Sequence, residues 1–203
     1  MTEVEFDEAT HTYRVAGEIV PGVTSILSDL SAMKRLDPAM LAAAAERGKL
    51  VHKAVELFNR DDLDEESLDP ALEPYLRAWK RFAHDRGYKP ITNETIIYSD
   101  RWGYAGQFDT YGTIKATARR SPTVLIDVKS GVADPVHGPQ TAAYLEPGRD
   151  MGLVGKLEIP LRMVVRLQPN GFYQVDEYRD PKDWSTFLAA LTTYRFKEAQ
   201  GLL

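Results

Sequence analysis

The chain has 203 residues, a net charge of −5 and no cysteine. Its length is that of one compact unit with one sizeable core, so we expect a single domain over residues 1–203. The lack of cysteine excludes disulfides, a thiolate zinc site and a cysteine-ligated iron–sulfur cluster. Any metal is therefore left to oxygen and imidazole ligands, which favour magnesium or manganese.

Hydrophobic residues make up 43% of the chain and charged residues 27%, as is ordinary for a globular protein. The longest apolar runs are too short to span a bilayer, and the chain opens without a basic segment followed by an apolar one. We therefore expect a cytoplasmic protein with no membrane partner. The negative charge argues against a protein that coats nucleic acid through charge alone, but not against a nuclease whose carboxylates bind cations.

Short β-rich stretches open the chain. Thr12 to Val15 and Glu18 to Val20 flank the turn residues Ala16-Gly17, which predicts a hairpin. We take residues 1–36 as this hairpin and a lead-in, together an appendage to the main domain.

Residues 37–87 have a helical pattern. Asp37 as N-cap and Pro38 at the first helical position predict a helix that runs to Gly48. A second helix, Lys49 to Asn59, should follow. Asp69-Pro70 repeats the cap-and-proline signal, and that helix should end near Gly87.

Residues 88–178 are rich in β-forming residues. Three strands, a helix and two further strands are expected in the order Ile91 to Tyr98, Tyr104 to Ile114, Thr123 to Lys129, Pro139 to Tyr144, Ile159 to Leu167 and Phe172 to Tyr178. Pro147-Gly148 puts the length of that helix in question, because proline normally breaks one. Asp180-Pro181 opens a final helix within 179–203. The order of helix, three strands, helix and strand indicates a mixed α/β sheet with helices on its faces.

The segment from Thr123 to Lys129 carries two charges on one face. Strand alternation sends Val124, Ile126 and Val128 to one side of the sheet and Asp127 and Lys129 to the other. Charges buried beside a core cost several kcal/mol each unless they are paired or bind a metal. The pattern therefore invites a functional explanation, although for an isolated Asp-x-Lys an exposed salt bridge at a strand end is the favoured interpretation.

A second carboxylate lies in the preceding strand, where Gly106 and Asp109 stand three residues apart. If the two strands are neighbours, Asp109 and Asp127 can share one metal and Lys129 can reach its water. A glycine inside a strand permits close approach of a ligand or another backbone. The alternative is that Gly106 marks a bulge and Asp109 is an exposed strand residue.

Four segments in this order resemble the PD-(D/E)XK nuclease superfamily, and within it the RecB-like and phage-exonuclease branch. They are Gly48-Lys49-Leu50-Val51-His52 with Glu56, Gly106-Gln107-Phe108-Asp109, Asp127-Val128-Lys129, and Gln140-Thr141-Ala142-Ala143-Tyr144. The resemblance implies an α/β fold with a restriction-endonuclease-like core of order αβββαβ, here with an N-terminal hairpin and a C-terminal helix.

The resemblance also implies a metal site. Asp109 and Asp127 would be carboxylate ligands of one or two Mg²⁺ or Mn²⁺ ions, with the backbone carbonyl of Val128 and the imidazole of His52 as further ligands. Lys129 would position or deprotonate the attacking water. Aspartate at the position of Asp127 is a variation on the more common glutamate.

Three more residues receive catalytic roles by the same resemblance. Gln140 and Tyr144 would contact the lysine, a water or a phosphate, with a polar helix residue and a core tyrosine as the alternatives. Glu56 could bind a second metal through water, orient a ligand, or only pair with a neighbouring cation. The residues expected to bind DNA are Arg47, Lys49, Lys53 and Ser130, and for the basic ones a solvated charged face is the alternative.

The implied reaction is metal-dependent hydrolysis of DNA, exonucleolytic, in recombination or end processing in phages and bacteria. The implied partners are DNA, a single-strand annealing or recombination protein, and a second copy of the chain. The rivals are a structure-specific or restriction-type endonuclease and a DNA-binding module that does not cut. A small-molecule α/β enzyme is disfavoured because no glycine-rich phosphate loop or nucleophile elbow is present.

Overall fold

The structure is a computed structural model that describes residues 3–35, 37–115, 121–155 and 159–203. These residues form two β-sheets and five α-helices. The strands are β1 (Val4–Asp7), β2 (Thr12–Val15), β3 (Glu18–Val20), β4 (Lys89–Ser99), β5 (Tyr104–Thr113), β6 (Thr123–Lys129), β7 (Leu161–Leu167) and β8 (Tyr173–Tyr178). The helices are α1 (Val23–Leu27), α2 (Pro38–Asn59), α3 (Glu73–Arg86), α4 (His137–Asp150) and α5 (Lys182–Ala199), with 3₁₀ turns at Ser28–Leu30, Ala32–Arg35 and Glu65–Ser67.

The larger sheet has the order β4-β5-β6-β7-β8. Neighbouring strands are antiparallel except β6 and β7, which run parallel. A parallel pair needs a crossover connection, and α4 lies between these two strands in the chain. The predicted mixed α/β sheet and its order of helix, three strands, helix and strand are confirmed.

Helices cover both faces of this sheet. On one face α2 and α3 pack on β6 and β7, through residues that include Val51, Trp79, Phe82, Ile126 and Met163. On the other face α1, α4 and α5 pack on β4, β5 and β6, through residues that include Ile26, Phe108, Leu125, Ala143 and Phe187. The result is a three-layer arrangement with a separate hydrophobic core on each side of the sheet.

The alternation predicted for β6 is confirmed. Val124, Ile126 and Val128 are buried in the core beneath α2 and α3, whereas Leu125 is buried in the core beneath α1, α4 and α5. Asp127 shares the parity of Leu125, so it points to the side that carries α4.

The prediction of two helices before residue 60 was wrong. α2 is one continuous helix of 22 residues in which Gly48 is an interior position. An interior glycine costs a helix only about 1 kcal/mol relative to alanine. The Asp37 side chain accepts from the backbone N–H groups of Ala39 and Met40 and caps the start, as predicted. The capped, alanine-rich first half offsets the glycine.

The N-terminal segment is more than an appendage. The predicted hairpin of β2 and β3 is present, but β1 pairs with β2 as a third strand. Val23, Ile26 and Leu27 of α1 are buried in the core that lies between the larger sheet and the helices α4 and α5. The backbone N–H of Ala105 on β5 donates to the carbonyl of Pro21 at 3.0 Å, which ties the lead-in to the larger sheet.

Pro147 lies inside α4 without ending it. A proline has no N–H to donate to the carbonyl four residues earlier, which here belongs to Ala143. The hydroxyl of Tyr104 donates to that carbonyl at 2.7 Å. A side chain from β5 thus replaces the missing helix bond, and α4 continues to Asp150.

Other element boundaries differ from the predictions by a few residues. Asp69 lies in a turn instead of capping the helix, because its side chain accepts from the N–H of Ala71 at 2.8 Å. The helix α3 begins only at Glu73, and Pro74 occupies its first turn. β7 begins at Leu161, after Pro160, which has no N–H for the ladder. Within the described parts of the chain, no helix is both long enough and apolar enough to cross a membrane.

Candidate metal centre

Three acidic side chains from adjacent strands meet on the α4 side of the sheet. The antiparallel register of β4 and β5 places Glu94 opposite Asp109. The pairing between β5 and β6 ends with Thr110 opposite Ile126. Asp109 and Asp127 are the next residues of the two strands beyond that last pair. Asp127 is 1% exposed and Asp109 9% exposed, so the carboxylates converge where little water is available to separate their charges.

His52 of α2 completes a cluster that could hold a cation. Ligand atoms from His52, Glu94 and Asp109 all lie within 4.8 Å of one another. Nδ1 of His52 is 3.3 Å from Oδ1 of Asp109. The other oxygen, Oδ2, accepts the backbone N–H of Val128. This bond fixes the orientation of the Asp109 carboxylate towards His52.

Asp127 and Lys129 form an ion pair beside this cluster. Nζ of Lys129 lies 2.7 Å from Oδ2 of Asp127. The two residues are two positions apart on β6, so their side chains project from the same face of the sheet. The ammonium is therefore held within the cavity that contains the carboxylates, as the strand alternation predicted.

Gln140 and Tyr144 face the same cavity from α4. Nε2 of Gln140 donates to the hydroxyl of Tyr144 at 2.8 Å, and both side chains are buried. Gly106 makes room for Tyr144, because a Cβ at this position would lie 2.9 Å from the ring of Tyr144 and 3.0 Å from Val23. The glycine marks close packing between β5 and its neighbours.

Glu94 is the member of the cluster that the sequence did not reveal. Its backbone is left-handed, with φ of 44°, which is uncommon for a residue inside a strand. Nε2 of Gln107 donates to its Oε2 at 2.8 Å and orients the carboxylate. In sequence, Asn93-Glu94-Thr95 is an ordinary polar stretch. The one available signal was an acidic residue within a β-rich segment.

The acidic groups perturb one another. Burial, and next the charge of Asp109, raise the pKa of Glu94 to about 8. Burial also raises the pKa of Asp127 to about 6, although Lys129 opposes it. For His52, burial lowers the pKa, but the Asp109 carboxylate outweighs it and raises the pKa to about 9. The cluster holds more negative charge than its surroundings neutralise, which favours a cation or protons.

These residues enclose a cavity of about 150 Å³. Of the residues predicted for the site, its lining includes His52, Asp109, Asp127, Lys129, Gln140 and Tyr144. The side chain of Val128 is buried on the opposite face of the sheet, so that residue could reach a metal only through its backbone, as the resemblance implies.

Glu56 stands apart from the cavity. Its Oε2 lies 2.9 Å from Nζ of Lys53 and its Oε1 lies 2.9 Å from the guanidinium of Arg60. Both oxygens are therefore engaged in ion pairs, which is the alternative that the sequence left open for this residue.

A larger groove of about 680 Å³ adjoins the cavity and shares His52, Lys129 and Gln140 with it. Arg47 and Ser130 line this groove, and Nε of Arg47 is buried without a hydrogen-bond partner in the described residues. Lys49 and Lys53 are exposed on α2. The groove is lined by both polar and apolar residues, and the apolar ones include Leu27, Met33, Leu41, Ala44, Val132 and Val136.

The comparisons with known proteins bear on the fold. No protein-family model and no curated protein matches the sequence. Among solved structures, the chain is similar to the crystal structure of a "putative exonuclease" from Eubacterium rectale. The TM-score is 0.50 and the identity 12%, and the match covers 77% of this chain and 69% of that one. The chain therefore has a mixed α/β fold similar to that of the Eubacterium rectale protein.

Proposed function

We propose that this protein is a divalent-metal-dependent DNA nuclease of the PD-(D/E)XK superfamily, of its RecB-like and phage-exonuclease branch. One observation carries the proposal: His52, Glu94, Asp109, Asp127 and Lys129 converge in one cavity at the sheet. The fold similarity to the Eubacterium rectale protein and the four sequence segments in their order support it.

The donor set fits a hard divalent cation. Carboxylate oxygens with one imidazole suit magnesium or manganese, and the described site offers no thiolate. The raised pKa of Glu94 has the same implication, because a bound cation would replace the protons that the crowded carboxylates otherwise retain. His52, Glu94 and Asp109 would hold the ion, and Asp127 and the carbonyl of Val128 would supply further oxygen ligands.

Such an ion supplies Lewis acidity, lowering the pKa of water and offsetting negative charge on the scissile phosphate. The chain's own residues then orient the reactants. Lys129 is held by Asp127 at 2.7 Å, which directs its ammonium into the cavity. There it positions the attacking water and stabilises charge that develops on the phosphate.

Tyr144 and Gln140 would act as a donor pair. Because Gln140 donates to the hydroxyl oxygen of Tyr144, the hydroxyl proton remains available for another acceptor. The pKa of Tyr144 is raised well above its usual value, by burial first and then by Asp127 and Asp109, so the proton is retained. We assign this proton to a phosphate oxygen or a metal-bound carboxylate. Glu56 is neutralised by ion pairs within its own helix, with Lys53 and with Arg60 at the C-cap of α2.

The groove beside the cavity suits a DNA strand. Nε of Arg47, buried and without a partner among the described residues, favours a phosphate. Ser130, just after β6, offers a hydroxyl. Lys49 and Lys53 on α2 would contact the backbone further out. We propose exonucleolytic cleavage in recombination or end processing. A single-strand annealing or recombination protein and a second copy of the chain are the proposed partners.

End-labelled linear, nicked and covalently closed circular DNA, each incubated with Mg²⁺ and with Mn²⁺, test this proposal. An exonuclease degrades the linear form from its ends and leaves the closed circle intact. Cleavage of the closed circle would identify an endonuclease on the same fold.

Calorimetric titration with Mn²⁺ separates a nuclease from a module that only binds DNA. The nuclease should bind Mn²⁺, whereas a module without catalysis has no need of a metal site. Absence of both cleavage and metal binding would overturn the proposal.

A further inference from the structure

A histidine outside every predicted motif also lines the metal cavity. His11 lies in the turn between β1 and β2, and it borders the cavity together with Glu94, Asp109 and Asp127. The N-terminal sheet is therefore a wall of the site. Its contribution is a side chain that both donates and accepts hydrogen bonds.

The backbone of this turn holds His11 in a fixed place. Oδ1 of Asp7 accepts from the N–H groups of Ala9 and Thr10 at 2.9 and 3.3 Å, which orders the turn. His11 itself is left-handed, with φ of 52°. This region is uncommon for residues other than glycine, although histidine adopts it more often than most.

Two aromatic rings fix the orientation of the imidazole. The ring of Phe6 meets it at 5.3 Å between centroids and the ring of Tyr13 at 5.7 Å, both edge to face. Phe6 and Tyr13 stack on each other at 4.7 Å. The imidazole is thus held against a rigid aromatic pair.

Lys49 contributes positive charge to the electrostatic surroundings of His11. His11 is exposed as a whole, but partial desolvation of its ring, and next the charge of Lys49, hold its pKa below the usual value. Lys49 is exposed on α2, on the helix that also carries His52. The described cluster that could bind an ion consists of His52, Glu94 and Asp109 and does not include His11. An imidazole N–H that lines the cavity, outside the ion cluster, is suited to a phosphate oxygen.

We propose that His11 contacts the substrate directly, by donating an imidazole N–H to a phosphate oxygen of the DNA strand that enters the cavity. This inference rests on the proposed nuclease function. It gives the small N-terminal sheet a role in holding the strand, in addition to the charge supplied by α2.

Glycine at residue 11 tests the contact without disturbing the turn, because glycine adopts a positive φ freely. Ala16 provides the matched control, since its φ is 51° in the turn between β2 and β3 and it does not line the cavity. Ala16→Gly should leave the melting temperature unchanged or raise it, and His11→Gly should change it little, because the relief of the left-handed backbone offsets the lost contacts with Phe6 and Tyr13. In Ca²⁺, His11→Gly should bind a short end-labelled duplex about ten-fold more weakly than the parent, and Ala16→Gly should match the parent.

Conservative variants identify the interaction. Asparagine and glutamine place an amide N–H near the Nδ1 and Nε2 positions respectively, so His11→Asn or His11→Gln should restore DNA binding to within a few-fold of the parent. Restoration by His11→Phe instead would show a stacking contact and overturn the hydrogen bond. Binding by His11→Gly equal to the parent would overturn the inference altogether.

Two further measurements separate the remaining outcomes. Mn²⁺ titration without DNA should give the same affinity for His11→Gly and the parent, and a weaker affinity would make His11 a metal ligand and contradict the proposal. A lower melting temperature for His11→Gly, with no rescue by either amide, would make it a structural residue. If the parent neither binds nor cuts DNA, the nuclease proposal fails, whereas a parent that cuts and a His11→Gly variant that binds equally well overturn this inference alone.

Discussion

Two glutamates of this protein, the buried Glu56 and the half-buried Glu94, have opposite electrostatic surroundings. Both oxygens of Glu56 lie 2.9 Å from cations, Lys53 and Arg60, whereas Glu94 faces the Asp109 carboxylate and has its pKa raised to about 8. A carboxylate that is already neutralised has little to gain from a metal ion. A carboxylate crowded by like charge gains a great deal.

We therefore expect Glu94→Gln to weaken Mn²⁺ binding by about ten-fold or more, because it removes an anionic ligand from the cluster with His52 and Asp109. Glu56→Gln is the matched control, a buried glutamate altered in the same way outside the cavity. It should leave Mn²⁺ affinity close to the parent value and lower the melting temperature. Calorimetric titration measures both, and equal losses of affinity in the two variants would contradict the assignment of Glu94.

Variants of Lys129 test whether this protein cleaves DNA or only binds it. Lys129→Ala and Lys129→Arg should each slow single-turnover cleavage by roughly a hundred- to a thousandfold, about 3–4 kcal/mol of barrier. Arginine should not substitute, because a planar guanidinium stays protonated and cannot occupy the same small space beside Asp127. Both variants should still shift DNA in a gel with Ca²⁺. Cleavage at the parental rate by Lys129→Ala would remove the lysine from the mechanism.

At the scale of elements, α4 depends on a bond supplied by another element. Tyr104→Phe leaves the carbonyl of Ala143 without its donor, since Pro147 has no N–H to offer. We expect a loss of about 1–3 kcal/mol in the free energy of unfolding. The double variant Tyr104→Phe with Pro147→Ala should recover part of that loss, because alanine restores the helix N–H.

Denaturant unfolding of the parent, both single variants and the double variant gives the coupling energy. Additive effects, with no recovery in the double variant, would show that the Tyr104 hydroxyl does not replace the helix bond.

Strand β6 was predictable to the residue because its signal is local. Alternation from Thr123 to Lys129 needs only the pleat, and it placed Asp127 and Lys129 on one face as observed. The continuity of α2 was not predictable, since Gly48 is a helix end in one context and an interior residue in another. Propensity gives a cost of about 1 kcal/mol for that glycine and does not decide the outcome.

Glu94 and His11 were not predictable because their roles arise from packing between distant segments. Glu94 reaches the site through its register with β5 and a left-handed backbone, neither of which is visible in a polar stretch. His11 reaches it because β1 to β3 lie against the cavity. Local patterns identified the strands and the pairs within one element, whereas the cluster brings together α2, β4 and β5.

For the whole molecule, the site makes stability depend on pH in a particular direction. The folded pKa values of Glu94, about 8, and Asp127, about 6, lie above their usual values of 4.5 and 3.8, and that of His52, about 9, lies above 6.5. The folded protein thus holds these protons more tightly than the unfolded chain. The stability they contribute is complete below the unfolded pKa values and is lost as pH rises through the folded ones.

The melting temperature of the metal-free protein should therefore fall between about pH 5 and pH 9, the range that these pKa values span. Mn²⁺ should offset the fall at the upper end, because a cation replaces the lost protons. Glu94→Gln should flatten the profile in chelator. A melting temperature that rises from pH 6 to pH 9 in chelator would contradict the charge balance described for the site.

The central claim is that the carboxylates of this cavity support DNA cleavage, and Asp127→Asn tests it most directly. The exchange keeps the shape of the side chain and removes a carboxyl group whose pKa is raised to about 6. Because the folded protein disfavours the ionised form of this group, the metal-free variant should melt at the parental temperature or higher above that pH. The measurement is the single-turnover cleavage rate of end-labelled linear duplex in Mn²⁺, for the parent and the variant. The account predicts cleavage by the parent and a rate at background for a fully folded Asp127→Asn, whereas a variant that cleaves at the parental rate would contradict it.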